Sequence, residues 1–140
     1  MPEVRQGPQG RLIPEGFTPF EDGGSFIDLV GPVLVRGEGE GMVFGLEVEE
    51  RHQNAGGKAH GGLLASLVDF SLGRAVAAAD AAGVTASLTT DYLAPVELGD
   101  FVEAHTEVEK AGSTLAFADC SLRVDGREVV RARAVFAVAG

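Results

Sequence analysis

The residues best suited to chemistry in this sequence lie between Asn54 and Asp69. The stretch Arg51-His52-Gln53-Asn54-Ala55-Gly56-Gly57-Lys58-Ala59-His60-Gly61-Gly62 reads as a loop that ends on a helix N-terminus. About four backbone N–H groups at such a terminus lack intrahelical partners, and the helix dipole adds to their pull on negative charge. Donors of this kind suit an oxyanion that develops during acyl transfer. Gly61 and Gly62 let a carbonyl approach the backbone with no Cβ in the way. A flexible loop of small residues explains the glycines equally well. The stretch is not a phosphate-binding Walker loop, because His52 stands where that pattern needs glycine and Ala59 where it needs Ser or Thr.

Asp69 adds a second group. At about 100° per residue on a helix, Gly62, Ala65, Ser66, Gly73 and Val76 share its face to within about 60°. Small residues around one carboxylate form a groove, and a carboxylate there is costly unless paired. Two readings stand at this point: a catalytic carboxylate, or a structural one that caps a loop or pairs with Arg74. No metal site is expected. His52 and His60 are eight apart on a loop and His105 sits on an exposed strand face, so no short-spaced ligand pair forms. Gly37-Glu38-Gly39-Glu40-Gly41 carries two acids that repel phosphate and reads as a tight turn.

The elements that must position these residues follow from periodicity. Residues 1–25, rich in Gly, Pro and Glu, read as a flexible leader, and residues 26–140 as one domain. Phe26–Val30 forms a helical turn ended by Gly31-Pro32. Strands are predicted at Val33–Arg36 and Met42–Glu49, the second with Met42, Phe44, Leu46 and Val48 on one apolar face. His60–Ala82 is the long helix, stopped at Gly83 and apolar nearly all round, so other elements must enclose it. After Gly83 the period becomes two. Strands follow at Val84–Leu93, around Val102–Glu109, and at Thr114–Val124 and Glu128–Val138, the last pair joined by the hairpin dipeptide Asp125-Gly126. The order β-β-α-β-β-β-β predicts an α+β fold in which a curved antiparallel meander wraps one helix. An unrelated α+β sandwich is the alternative.

The net charge of −10 excludes a general nucleic-acid surface. It also counts against polyanions, although local cations and backbone N–H groups can still hold a phosphate. No apolar N-terminal segment marks a secretory signal. The apolar run 61–83 is broken by Asp69, Arg74 and Asp80, which favours a buried helix over a membrane span. The lone Cys120 cannot form an intramolecular disulfide, so a reducing, cytoplasmic setting is expected. Arg123, Arg127, Arg131 and Arg133 cluster around the last hairpin.

The pattern His52-x-Asn54-x5-His60-Gly61-Gly62-x6-Asp69, followed by Thr85 and Asp91-Tyr92-Leu93-Ala94-Pro95, resembles the PaaI-type (phenylacetate-pathway) branch of the hotdog acyl-CoA thioesterases. The resemblance implies the hotdog fold, no cofactor, and hydrolysis of a small or medium aliphatic or aryl acyl-CoA. It also implies a homodimer or dimer-of-dimers tetramer whose active sites are shared between protomers. By the same resemblance, the Gly61 N–H and the Asn54 side chain polarise the thioester carbonyl. Asp69 of the opposing protomer is the general base or, alternatively, a nucleophile. Thr85 orients the water and His60 fixes the helix entry. Gly62, Tyr92 and the turn containing Lys110, Gly112, Ser113 and Thr114 touch the substrate. Phe70 departs from the family's smaller or polar residue and is expected to reshape the acyl pocket. The arginine cluster either solvates a sheet face or meets the CoA phosphates. A non-catalytic acyl-thioester binder and a hotdog hydratase are the competing classes.

Overall fold

The computed structural model describes Gly7 and residues 13–139. Of the leader expected at residues 1–25, residues 1–6 and 8–12 therefore lie outside the described residues. Its described portion, 13–25, supplies a short strand, β1 (Thr18–Pro19), and the buried Phe17. There follow α1 (Ser25–Val30), β2 (Leu34–Arg36), β3 (Val43–Glu47), α2 (Gly61–Ala78), β4 (Gly83–Tyr92), β5 (Phe101–Ala111), β6 (Leu115–Val124) and β7 (Arg127–Val138). The strands form one antiparallel sheet in the order β1-β2-β3-β5-β6-β7-β4, and α2 packs on β3 to β7. One long helix against an antiparallel sheet is the architecture the sequence predicts.

Period-two patterning builds the inner face. Phe44, Leu46, Val102, Leu122, Val130 and Phe136 point at Leu64, Leu67, Val68, Leu72 and Val76 of α2. Each such large side chain contributes roughly 1.5–3 kcal/mol on burial. Between them Ala104, Ala118, Ala132 and Ala134 are also buried, and their small size lets the helix lie close to the strands. A smaller cluster of Phe17, Leu34 and Phe101 covers the sheet on the β1–β3 side. Gly45 is required there, since a Cβ would come within 2.4 Å of the Phe101 ring. Asp125 and Gly126 both adopt positive φ, 50° and 80°, as a two-residue type I′ hairpin demands.

Three details differ from the sequence reading. The strands after α2 are not a simple meander, because β4 lies beside β7 at the far edge and only β5-β6-β7 run consecutively. The connection 93–100 is longer than the roughly two to five residues of a hairpin loop, so β4 and β5 need not be neighbours. The long helix ends at Ala78, not Ala82. Asp80 takes the left-handed conformation at φ 60°, and the bonds Ala81 N–H to Val76 O (2.8 Å) and Asp80 N–H to Ala77 O (3.1 Å) complete a Schellman stop. Gly83 serves a different need: a Cβ there would sit 2.0 Å from Ala137 O across the β4–β7 ladder. Finally, α2 is apolar nearly all round, but only 44% of it is buried in this chain. Val76 belongs to the core, whereas Ala65, Ser66, Asp69 and Gly73 stay half-exposed and Gly62 is exposed.

Candidate active site

The expected site residues fall into two groups at opposite ends of β4. The first gathers Asn54, His60, Gly61, Gly62 and Tyr92. The loop closes on itself through Asn54 N–H to Lys58 O (2.7 Å) and Gly57 N–H to Asn54 O (3.0 Å). Asn54 Oδ1 accepts the N–H groups of Gly56 (2.9 Å) and Lys58 (3.1 Å). These two donors fix which end of the amide is oxygen and leave the Nδ2 hydrogens as the donors the loop does not use. Lys58 secures the loop to the β4–β5 connection, its Nζ lying 2.7 and 2.8 Å from the two carboxylate oxygens of Glu97.

At the start of α2, His60 Nδ1 accepts the Gly62 N–H at 2.8 Å and caps the helix. A Cβ on Gly62 would lie 3.0 Å from that nitrogen, so the cap itself calls for glycine. His60 O accepts the N–H groups of Leu63 and Leu64. That leaves the Gly61 N–H without a protein acceptor among the described residues. Tyr92 Oη donates to Gly61 O at 2.8 Å, and its ring carbon lies 3.3 Å from where a Gly61 Cβ would be. One helix N–H and one side-chain amide without a protein acceptor among the described residues therefore lie at the same end of the fold, and groups of both kinds can hold negative charge.

The second group is Asp69 and Thr85. Thr85 Oγ1 donates to Asp69 Oδ1 at 2.5 Å. This contact depends on a bulge. Thr85 pairs with Phe136 and Ser87 with Val135, so Ala86 is an extra residue in β4. Strict alternation back from Tyr92 and Leu88 would turn Thr85 to the outer face; the bulge turns it inward, under α2. The turn after β5, with Lys110, Gly112, Ser113 and Thr114, lies at this same end, since Thr114 O accepts the Val138 N–H (2.9 Å) and Val138 pairs with Gly83. Phe70 turns into its own chain, edge-to-face with Phe44 (4.8 Å) and Phe20 (5.6 Å).

The two groups do not meet within one chain. Gly61 and Asp69 are about 12 Å apart along α2 at 1.5 Å per residue. Thr85 and Tyr92 are separated by roughly 20 Å of strand. Both flank β4, which is an edge strand with Val84 71% and Tyr92 52% exposed.

The arginine cluster lies elsewhere. Arg131 and Arg133 alternate with buried Ala132 and Ala134, so they occupy the sheet face away from α2. There Arg131 pairs with Glu128 (2.8 Å) and Arg123 Nε donates to Ser121 Oγ (3.1 Å). The Ser121 hydroxyl, then Arg131, lowers the Glu128 pKa. On the same face the neighbouring Asp119 carboxyl raises that of Glu109. Cys120 points inward, and burial pushes its thiol up to about 12. Among the described residues no three potential metal ligands gather at one point.

The sequence reading did not single out Glu97, the Ala86 bulge, or the roles of Arg51 and His52. His52 is buried, with Nδ1 accepting the Glu49 N–H (2.9 Å) and Nε2 2.5 Å from Val30 O. His52 opens the motif in the sequence, but its partner Val30, 22 residues away, has no spacing signal there.

Comparison with known proteins places this geometry in context. The profile of the thioesterase superfamily matches residues 56–131. A Pseudomonas aeruginosa protein named as an esterase is 39% identical over 128 residues, covering 89% of this chain and 96% of that one. Mouse acyl-coenzyme A thioesterase 13 is 33% identical over 104 residues, covering 71% and 74%. Among solved structures, a Streptococcus pneumoniae thioesterase-like protein with coenzyme A superposes with a TM-score of 0.73 at 28% identity, covering 77% and 89%. A mutant of the phenylacetic acid degradation protein PaaI of Thermus thermophilus gives 0.74 at 26% identity, covering 81% and 98%.

Proposed function

This chain belongs to the thioesterase superfamily, and we propose that it hydrolyses acyl-coenzyme A thioesters at sites each built by two copies of the chain. The observation that carries the proposal is the division of the site: free donors at Gly61 and Asn54 beside one end of β4, and the Asp69–Thr85 pair beside the other. Reacting atoms must approach to about 3–3.5 Å, and about 12 Å of helix keeps the two halves of one chain apart. The unpaired edge of β4 offers the remedy. Antiparallel pairing with the β4 of a second copy about a two-fold axis lays the Tyr92 end of one strand along the Thr85 end of the other. The half-exposed face of α2 around Asp69 and Gly73 is then covered as well. Pairing of such dimers gives the tetramer.

The chemistry follows from the groups present. The thioester oxygen lies against the Gly61 N–H and Asn54 Nδ2 of one copy. Asp69 of the second copy takes a proton from water as the water oxygen attacks the carbonyl carbon. The Thr85 hydroxyl donates its hydrogen bond to the Asp69 carboxylate and keeps its proton, so the oxygen's lone pairs are free to accept from that water and aim it. Collapse of the tetrahedral oxyanion breaks the C–S bond, and the CoA sulfur leaves with the proton. Tyr92 and the Lys110–Thr114 turn flank the path of the CoA portion. The acyl group is small or medium, aliphatic or aryl, and the setting is cytoplasmic.

The test is CoA release from a panel of short, medium and aryl acyl-CoAs, followed with a thiol reagent. Cys120 is buried and stays protonated, so it adds no background in the folded protein. Release by the natural sequence but not by Asp69→Asn supports hydrolysis. Binding without release from any member of the panel makes the protein a binder and sinks the proposal.

A further inference from the structure

We infer that Arg51 is a positioning residue for the oxyanion-donor loop, acting through the end of α1. The inference rests on the thioesterase reading for its catalytic meaning, and on contacts outside the substrate groups named above for its substance. Helix α1 is six residues long, too short to hold its shape unaided. The carbonyls of its last two residues and of its C-cap, Gly31, are taken by two consecutive residues from the turn before Asn54. The Arg51 guanidinium donates to both Leu29 O and Gly31 O. His52 Nε2–H donates to the carbonyl between them, Val30 O. Because His52 Nδ1 accepts the Glu49 N–H, Nε2 is the ring nitrogen that carries the proton.

The same turn is fixed to the loop on its other side. His52 O accepts the His60 N–H at 2.8 Å, and the Glu49 and His52 side chains form a reciprocal capping box around residues 50–52. Ile27 of α1 lies in the main core. The loop bearing Asn54 therefore takes its position from the core through Ile27, the α1 carbonyls, and Arg51 with His52. Two acceptors two residues apart suit the planar fork of arginine; an ammonium group has no such geometry. The Nε of Arg51 also reaches Glu49 Oε1 at 3.4 Å, which holds the fork in plane. None of these contacts involves Asn54 or Gly61 directly, so Arg51 acts by holding the donors in register.

Three variants of the full chain test this: Arg51→Ala, Arg51→Lys, and Arg36→Ala as a control. Arg36 is likewise a partly exposed arginine, bound to Glu103 (3.4 Å) and over the Phe17 ring (4.7 Å), but far from the loop in the fold. Arg51→Ala is expected to lower kcat about tenfold or more while KM moves less than about twofold, since misplaced donors weaken the transition state more than the ground state. Arg51→Lys recovers part of kcat, because an ammonium can satisfy one carbonyl. Arg36→Ala loses thermal stability with kcat intact. Amide exchange gives a readout independent of activity: the Gly56 and Lys58 N–H groups exchange about tenfold faster in Arg51→Ala, while Leu72 in α2 is unchanged. Wild-type kcat and wild-type exchange at Gly56 and Lys58 in Arg51→Ala would overturn the inference. An equal loss of kcat in Arg36→Ala would also overturn it. If the natural sequence releases no CoA from any substrate, the thioesterase reading fails, and the exchange rates alone still decide for or against Arg51.

Discussion

The two ends of β4 are built on opposite plans. At the donor end, Asn54, Lys58, His60 and Tyr92 each make hydrogen bonds to loop or helix backbone, or to Glu97, while among the described residues the Gly61 N–H, the Asn54 amide hydrogens and the His60 Nε2 stay open. At the acid end, Asp69 is held by the single hydroxyl of Thr85, aimed by one extra residue in the strand. Donors that stabilise charge gain from being fixed before the reaction, because no reorganisation is then needed as the charge appears. A carboxylate that must take a proton needs an accessible water instead. On the proposed function, the difference accounts for one end held by many hydrogen bonds and another left open to be met by a second copy.

The largest expected effect breaks the comparison at the acid end. Asp69→Asn keeps the shape but removes the base, and kcat should fall about 10²–10⁴-fold. Asn54→Ala removes one of two donors and should cost about 10²–10³ in kcat. Mixing the two inactive variants as refolded dimers then discriminates between shared and separate sites. Each mixed dimer holds one intact site, so random mixing restores about a quarter of natural activity. A mixture as inactive as its components would place Asp69 and Asn54 in the same protomer's site. Light scattering provides a simpler check, with particles at least twice the 14.5 kDa chain mass at assay concentrations.

The next effect sharpens the account of the bulge. Deleting Ala86 restores strict alternation and turns Thr85 away from Asp69. The deletion should match Thr85→Val, with kcat lowered about tenfold or more, while Thr85→Ser retains most activity. A deletion variant that folds and keeps natural kcat would show that Thr85 does not aim the water.

The same contrast governs what the sequence reveals. The loop, the helix start and the final hairpin are local, and their residue types announce them: glycines at a helix entry, Asp-Gly at a turn, alternation in β5 to β7. The donor end was legible for that reason. Legibility fails where position depends on distant pairing. The placement of β4 at the sheet edge depends on which strand α2 delivers it to, and alternation is identical for an edge and a central strand. The Ala86 bulge is silent because Thr-Ala-Ser offers no residue that demands an extra count. Asp80 replaced Gly83 as the helix stop because a short polar side chain tolerates left-handed geometry, which a search for glycine passes over. The link from Arg51 to α1 joins segments about twenty residues apart, with no spacing rule to announce it.

A smaller effect separates packing from chemistry at the donor end. Tyr92→Phe keeps the ring over Gly61 and removes only the bond to Gly61 O, an exposed contact contributing at most about 0.5–1.5 kcal/mol. Thermal unfolding should shift little, and kcat should fall less than in Asn54→Ala. A loss equal to that of Asn54→Ala would move the Tyr92 hydroxyl into the oxyanion site itself.

Between the two ends the inner sheet face is buried, and Cys120 reports on that face. It pairs across the ladder with Thr106 and Ala132, midway along β6. Burial raises its pKa from 9.0 to about 12, which means the folded chain favours the neutral thiol. A group whose folded pKa is raised contributes its stability fully below the unfolded value and loses it as pH climbs toward the folded one. Stability should therefore hold to about pH 9 and decline between pH 9 and 12, with Cys120→Ala flattening that part of the profile. In the native state the thiol should stay unreactive to a soluble thiol reagent, and it should react promptly in denaturant. Rapid native labelling would mean that water reaches the inner face and that burial does not hold the thiol neutral.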